Sequence, residues 1–424
     1  MTTTRTTTSE LCTLIVLRAP SANRVYTAAA ESLSCAEAHW VLGARGLTAH
    51  SLRPCTVAGA DALAVQVSAE ESKAAIPVLQ SLSTSLAVFE TVGATTGEAQ
   101  PGDQQPRDQQ PGDQQTGDQQ TGEMLGPDTL LRPLTPRRPE LHPSDLESTL
   151  KYSGKTNEQF TAMLVNLAAA LSGHRNGLDD GTLSLLDPMC GRGTTLNRAL
   201  ALGLSPVGAD IDTKDVDAYR VFISTWLRTH RYKHHLDHGK LSREGKKLGV
   251  RVHAEFARDK AAQKAGQVQT VDVYGCDTAE LSHLIRRGSI DVIVADLPYG
   301  VQHGARSKGT LQRSPLQVLE AAAPGWRRLM KADGAMALAV NRHTLPHSAA
   351  AEALATSGFT VVNHPGSFRH RVDQAIDRDV ILAVPTNHPR LEEFHALGAA
   401  PSEEPKLASD LHEQTLHEQT RTPS

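Results

Sequence analysis

"LSLLDPMCGRGTTLNRALALG" (residues 183–203) passes from an apolar strand pattern through an aspartate, a proline and two closely spaced glycines into a helical pattern. A strand that turns on glycine straight into a helix opens a βαβ unit. The pattern repeats outward from it. Strand-like segments stand at 206–210 (PVGAD), 270–277 (TVDVYGCD), 291–296 (DVIVAD), 335–340 (AMALAV), 359–363 (FTVVN) and 378–384 (RDVILAV). Helical segments precede or separate them at 156–173, 215–230, 278–288, 315–331 and 346–358. Strands alternating with helices of this length predict a parallel sheet covered on both faces. Only a loop joins the last two strands, so one of them should run antiparallel.

Ligands of open α/β sheets bind at the carboxyl ends of the strands. Four consecutive strands each end on or beside an aspartate: Asp187, Asp210, Asp277 and Asp296. One such acid is commonly a turn or helix-cap residue; four on one edge suggest a site. The glycine loop lacks the lysine of a P-loop and the third glycine of a dinucleotide fingerprint, since Gly191 and Gly193 lead into Thr194, Thr195 and Leu196. It allows close backbone approach without dedicated phosphate contacts. Asp210 stands where an acid accepts from ribose hydroxyls, and Asp277 is placed to accept from an adenine amine. A nucleoside cofactor without a pyrophosphate suits this set, and S-adenosylmethionine is the candidate.

The stretch 291–300, DVIVADLPYG, ends a buried strand on Asp296 and turns at once through Leu297, Pro298, Tyr299 and Gly300. Together, DPMCGRGTT…GADID…CDT…DLPYG resembles the Rossmann-like class I methyltransferases. Within them it is most similar to the THUMP-associated tRNA guanosine-N2 methyltransferases, over about residues 150–385. The resemblance implies a seven-stranded α/β methyltransferase sheet with helices on both faces. It implies cofactor binding by Cys190, Gly191, Gly193, Asp210 and Asp277, with Asp187 supporting the loop and Arg192 standing where a small residue is usual. It implies catalysis at Asp296, Leu297, Pro298 and Tyr299, on an exocyclic base amine of RNA, guanosine N2 of tRNA above all.

Physical chemistry gives each of those four residues a task. An exocyclic amine is a poor nucleophile because its lone pair is delocalised into the ring. Asp296 and the Leu297 carbonyl can accept both amine hydrogens, and the carboxylate stabilises positive charge growing on nitrogen. Pro298 fixes φ, and Tyr299 offers a face for an extruded base, typically ~1–3 kcal/mol.

A long connection at about 213–269 carries RTHRYKHHLDHGKLSREGKK (228–247), with seven Lys/Arg, two acids and four histidines. In a chain of net charge −4 this local positive patch suits phosphate backbones, with Arg243, Lys246 and Lys247 as substrate-binding candidates. A solvated helix face is the plain alternative. His230, His234 and His238 could share one face as metal ligands, but no paired carboxylate or thiolate is evident, so no metal is expected. KYSGKTNEQF (151–160) is placed either to close over the site or to cap the first helix through Thr156 or Asn157.

The rest of the chain divides by composition. Residues 1–95 read as a small α/β or α+β domain, which under the RNA reading would help to dock the substrate. Residues 96–140 read as a linker, centred on the Gln/Asp/Gly/Pro repeat of 100–123, which has nothing to bury. Residues 141–385 are the catalytic domain and 386–424 a disordered tail. Five scattered cysteines without a CxxC pair, and no apolar run of ~18 residues, point to a cytoplasmic protein with reduced thiols and no membrane contact. No feature fixes an oligomeric state. Two alternatives remain. A DNA adenine-N6 or cytosine-N4 methyltransferase would usually carry proline where Leu297 stands. A non-catalytic nucleic-acid-binding protein would have no need of all four acids.

Overall fold

A computed structural model describes residues 10–21, 23–92, 129–136, 141–150, 152, 155–243, 245–298 and 314–399. The chain forms two compact units, divided after Pro143.

The first unit contains β1 (Leu11–Arg18), α1 (Arg24–Ala44), β2 (Ser51–Val57), β3 (Ala60–Ser68), α2 (Ala69–Gln80), β4 (Ser85–Val92) and β5 (Leu130–Pro133). Its sheet has the order β2-β3-β1-β4-β5 and every pairing is antiparallel, which makes the unit α+β. Leu14, Val16, Leu63, Val65 and Val67 are buried on one face of the central strands, and Ile15, Ala62 and Ala64 are buried on the other, where Cys55, Val57, Phe89 and Leu131 pack against them. β5 corrects the linker boundary: Leu130–Pro133, which falls within the 96–140 linker read around the repeat, pairs with β4. The repeat at 100–123 lies outside the described residues.

The second unit begins with α3 (Asp145–Ser148), α4 (Glu158–Leu171) and α5 (Gly177–Asp180). It continues through β6 (Leu185–Asp187), α6 (Thr194–Ala201), β7 (Val207–Asp210), α7 (Thr213–Thr229), β8 (Lys233–Arg243), β9 (Lys246–Ala257), α8 (Lys260–Lys264) and β10 (Gln269–Gly275). A 3-10 turn at Thr278–His283 follows, replacing the longer helix expected over 278–288. Then come β11 (Ile290–Asp296), α9 (Pro315–Leu329), β12 (Met330–Asn341), α10 (His347–Thr356), β13 (Phe359–Val361), β14 (His370–Arg371), β15 (Asp377–Pro385) and α11 (Leu391–Ala399).

All seven expected strands appear, but the sheet has ten, in the order β13-β15-β12-β11-β6-β7-β10-β9-β8, with β14 on β15. β10, β7, β6, β11 and β12 are mutually parallel, and β15 is antiparallel to both β12 and β13. β11 is buried throughout up to Ala295, as its unbroken apolar run requires for a strand covered on both faces. Ile293, Ala295, Met336, Leu338 and Val340 join α9 and α10 in one core. A second core gathers Leu196, Tyr219, Ile223 and Trp226 from α6 and α7 against Val252, Ala254, Val271 and Val273.

The basic insertion is not a helix face. After α7 it forms the β8–β9 hairpin, antiparallel to β10. Both arms alternate, with Leu236, Val252, Ala254 and Phe256 turned inward, and this period-two pattern overrides the polar composition. The tail is also corrected: α11 lies within 386–424 and buries Phe394 completely. None of the five cysteines is disulfide-bonded. No described helix is long and apolar enough to cross a membrane.

Candidate active site

The parallel order β11-β6-β7-β10 lines the four aspartates along one edge. Asp187, Asp210 and Asp296 are the last residues of their strands, and Asp277 follows β10 by two and caps the 3-10 turn through the Ala279 amide at 3.0 Å. β6 pairs with its successor β7 on one side and with the later β11 on the other, so the edge contains the topological switch point.

The glycine loop is built on Asp187 and Asp210. The Met189 amide donates to Asp187 Oδ1 at 3.1 Å, and the Gly191 amide to Asp210 Oδ2 at 2.8 Å. Asp210 Oδ1 takes the Asp212 amide at 2.8 Å. Gly191 and Gly193 have φ of +50° and +83°, a region open to glycine without strain. A Cβ on Gly193 would lie 2.4 Å from the Tyr219 ring, whereas one on Gly191 would meet nothing within 4 Å. Gly193 therefore packs the loop down on α7, while Gly191 faces open space.

Cys190 does not face that space. Its thiol is buried with Leu196 and Tyr219, close enough to Gly208 that a Cβ there would sit 2.9 Å from Sγ. Burial holds the thiol well above its usual range. The Cys190 amide donates to the Ala209 carbonyl at 2.8 Å and its carbonyl accepts from the Gly193 amide at 2.7 Å, so Cys190 shapes the loop and its thiol does not face the open side, which corrects its expected role as a contact. Burial also pushes the Asp187 carboxyl up to about 7, against hydrogen bonds from Thr195 and the Met189 amide, with Asp210 and Asp296 adding to the rise. Asp210 is raised by burial as well.

Asp296 is tied to elements distant in sequence. The Thr156 hydroxyl donates to its Oδ2 at 2.5 Å, and Arg378 Nη2 of β15 stands 3.6 Å from the same oxygen. Arg378 is buried to 8% exposure and lies over the Phe160 ring at 4.8 Å. Leu297 buries its side chain and donates its amide to the Ala339 carbonyl at 3.0 Å; Pro298 is exposed. Tyr299 and Gly300 lie outside the described residues.

Sequence reasoning gave Thr156 two possible tasks, and the fold divides them. Asn157 caps α4 through the Phe160 amide at 3.0 Å, which leaves Thr156 to reach Asp296. Tyr152 from the same segment meets Thr194 Oγ1 at 3.3 Å, and Arg192 lies over its ring at 4.9 Å while bonding Asp215 at 2.8 Å. Tyr152 thus meets the glycine loop and Thr156 meets Asp296. Sequence reasoning missed Arg378, Tyr152 and Ile211; the last follows Asp210 and is 69% exposed, an apolar surface where burial would be normal.

Arg243, Lys246 and Lys247 are not beside these acids. Arg243 pairs with Lys246, and Ser242 with Lys247, at the turn of the β8–β9 hairpin. Because Gly275 pairs with Val250, residues 246–249 run past the end of β10, about 13 Å at ~3.3 Å per residue. The tip therefore rises from the same carboxyl edge. His230 bonds Asp145 at the end of α7, while His234 and His238 lie in β8. Among the described residues no group of three His, Cys, Asp or Glu is arranged to hold a metal ion.

An open glycine turn, a braced carboxylate beside an exposed isoleucine, and further carboxylates along the edge fit a nucleoside carrying positive charge. This fold and edge define a Rossmann-like methyltransferase domain. The chain belongs to the RMKL-like methyltransferase-domain family (UPF0020), whose model matches residues 156–371, just over half of its 424 residues. It is an S-adenosylmethionine-dependent methyltransferase.

No curated protein sequence matches the chain. Among solved structures it is similar to a TehB-like SAM-dependent methyltransferase from Corynebacterium glutamicum, with 15% identity, 54% of this chain and 97% of that one covered, and a TM-score of 0.27. It is also similar to the 1,6-didemethyltoxoflavin-N1-methyltransferase of Burkholderia thailandensis, with 15% identity, coverage of 52% and 76%, and a TM-score of 0.28.

Proposed function

We propose that the enzyme methylates an exocyclic amine of an RNA base, guanosine N2 of tRNA being the leading target. The observation that carries this reading is Asp296, a carboxylate at the end of β11 with Thr156 donating at 2.5 Å and the Arg378 guanidinium ion-paired at 3.6 Å, one strand from the glycine loop. When bound, S-adenosylmethionine supplies an electrophilic methyl group. Gly191, Gly193, Asp210 and Asp277 would hold it, and Ile211 offers an apolar face to its base.

Asp296 and the Leu297 carbonyl would accept the two amine hydrogens, so that the nitrogen lone pair points out of conjugation. A carboxylate oxygen has two acceptor sites, so accepting from Thr156 does not exhaust it. Thr156 instead fixes its orientation, and Pro298 limits movement of the turn. Charge growing on the amine nitrogen is stabilised by the carboxylate. The experiment is methyl transfer from labelled cofactor to RNA followed by digestion to nucleosides, which identifies the modified atom.

The hairpin tip would contact the RNA backbone, and the first unit would help to dock it. Replacing Arg243, Lys246 and Lys247 together by glutamine should weaken RNA binding. The slope of log K against log salt should fall by about 0.7–0.9 for each phosphate that is no longer neutralised. An unchanged affinity and slope would remove the tip from the interface.

Asp187 makes a separate, pH-dependent prediction. Its carboxyl is raised from the ordinary 3.8 to about 7 in the folded chain. Its protonation therefore contributes stability that is full below about 4 and is lost as pH rises through about 7. Asp187→Asn has no such loss, so its Tm relative to the wild type should climb between pH 4 and pH 8, the full effect being up to about 4 kcal/mol at 1.36 kcal/mol per unit. A pH-independent difference would show that Asp187 is not raised.

A further inference from the structure

The mechanism uses Arg378 but leaves unexplained the cluster around its neighbour, Asp377. Asn341, the last residue of β12, pairs with Arg378, and Asp296 pairs with Ala339 two residues earlier. The start of β15 thus stands at the same carboxyl edge as Asp296, two strands along. Three more arginines gather there. Arg342 Nη1 bonds Asp377 Oδ2 at 3.1 Å, and Arg369 Nε stands 3.2 Å from both Asp377 oxygens. Arg371, cross-strand partner of Asp377, donates Nε to the Asp373 carbonyl at 3.2 Å.

Burial separates brace from ligand-facing group. The Asp377 side chain is 12% exposed, whereas those of Arg342 and Arg369 are 32% and 47% exposed. Each guanidinium has five N–H donors, and the bonds to Asp377 involve one nitrogen of each. One carboxylate holds two guanidiniums close together, with the remaining donors toward solvent. The Asp373 carboxylate is turned to the Ala375 amide at 2.8 Å. Arg369 and Arg371 are exposed and Arg342 is half-buried; against the Asp377 and Asp373 carboxylates they leave one positive charge over at the surface of a chain of net charge −4. The Asp379 carboxylate is buried on the Gly366 and Phe368 amides. Preorganised, planar donor forks are the geometry that recognises phosphate oxygens in pairs.

We infer that Arg342, Arg369 and Arg371 form a phosphodiester-binding rim that grips the backbone next to the target nucleotide. This rests on the nucleic-acid reading of the substrate and adds to it a second anchor. The hairpin tip lies on the far side of the cofactor edge, four strand spacings from β11 to β9, or about 19 Å at ~4.8 Å each. The arginine rim lies on the other side of Asp296, two strand spacings away, so a base entering between rim and tip is held from both sides.

The test uses the full chain and fluorescence anisotropy with labelled bulk tRNA and a short mixed-sequence oligoribonucleotide, over a salt series. The wild type should bind with a salt-dependent affinity. Arg371→Glu, which alters an exposed side chain bonded to a backbone carbonyl, should weaken binding about tenfold or more and lower the salt slope by about one. Arg369→Ala combined with Arg371→Ala should weaken it further. Arg371→Lys, which keeps the charge but not the planar fork, should bind between the wild type and Arg371→Glu, and calorimetric affinity for S-adenosylmethionine should be the same throughout. If the wild type binds and methylates RNA while Arg371→Glu and the double variant retain its affinity and slope, the rim is wrong and the RNA reading stands. A loss with Arg371→Lys equal to that with Arg371→Glu would also overturn it, since charge would not be the cause. If the wild type shows no salt-dependent RNA binding, the nucleic-acid reading itself fails.

Discussion

Asp296→Ala should lower the rate of methyl transfer by at least ~100-fold, the scale for removing one preorganised group that stabilises transition-state charge, with cofactor affinity near that of the wild type. The expectation follows from where Asp296 stands. Its carboxylate ends the strand next to β6, so it adjoins the glycine loop without building it; the loop amides go to Asp187 and Asp210. Asp296→Asn is the sharper variant. It keeps the shape and one acceptor for Thr156 but removes the charge and replaces the other acceptor by a donor, so it should lose most of the same rate. Single-turnover kinetics and calorimetry separate the two quantities. An Asp296→Ala enzyme with unchanged rate would show that the acid is structural.

The second large effect concerns cofactor capture. Asp210→Ala should weaken binding of S-adenosylmethionine by at least ~10-fold, since a hydrogen bond to a charged group contributes about 1.5–3 kcal/mol. Two causes add. The ribose hydroxyls would lose the acceptor proposed for them, and the Gly191 amide loses the partner it bonds at 2.8 Å. Asp210→Asn retains an oxygen for Gly191, so its loss should be smaller. The difference between the two variants measures how much of Asp210 is loop brace. Equal affinity in wild type and Asp210→Ala would exclude this carboxylate from the cofactor site.

Much of this site was legible because its parts are local. Asp187 to Gly193, and Asp296 to Pro298, are each one strand end and one turn, and the alternation of periods orders the strands that carry them. What sequence could not show comes from chain distance. Thr156 and Asp296 are separated by 140 positions, and Arg378 reaches Asp296 only because β15 returns antiparallel beside β12. The β8–β9 hairpin was hidden because histidines and lysines on its outer face masked the alternation of Leu236, Val252, Ala254 and Phe256. β5 escaped because a short strand at a sheet edge needs few apolar residues, and LLRP sits among prolines. Cys190 was misread in the opposite way: it lies in the right loop, but its side chain turns into the core.

Nucleoside mass spectrometry of total RNA and DNA, from cells with and without the gene, tests the assignment of Asp296 to an exocyclic amine. The account predicts that one RNA nucleoside methylated on its exocyclic nitrogen, N2-methylguanosine first, disappears without the gene and returns with the wild-type protein but not with Asp296→Ala. Loss of a ring-nitrogen or ribose methyl group, loss of a methylated base from DNA alone, or full restoration by Asp296→Ala would contradict it.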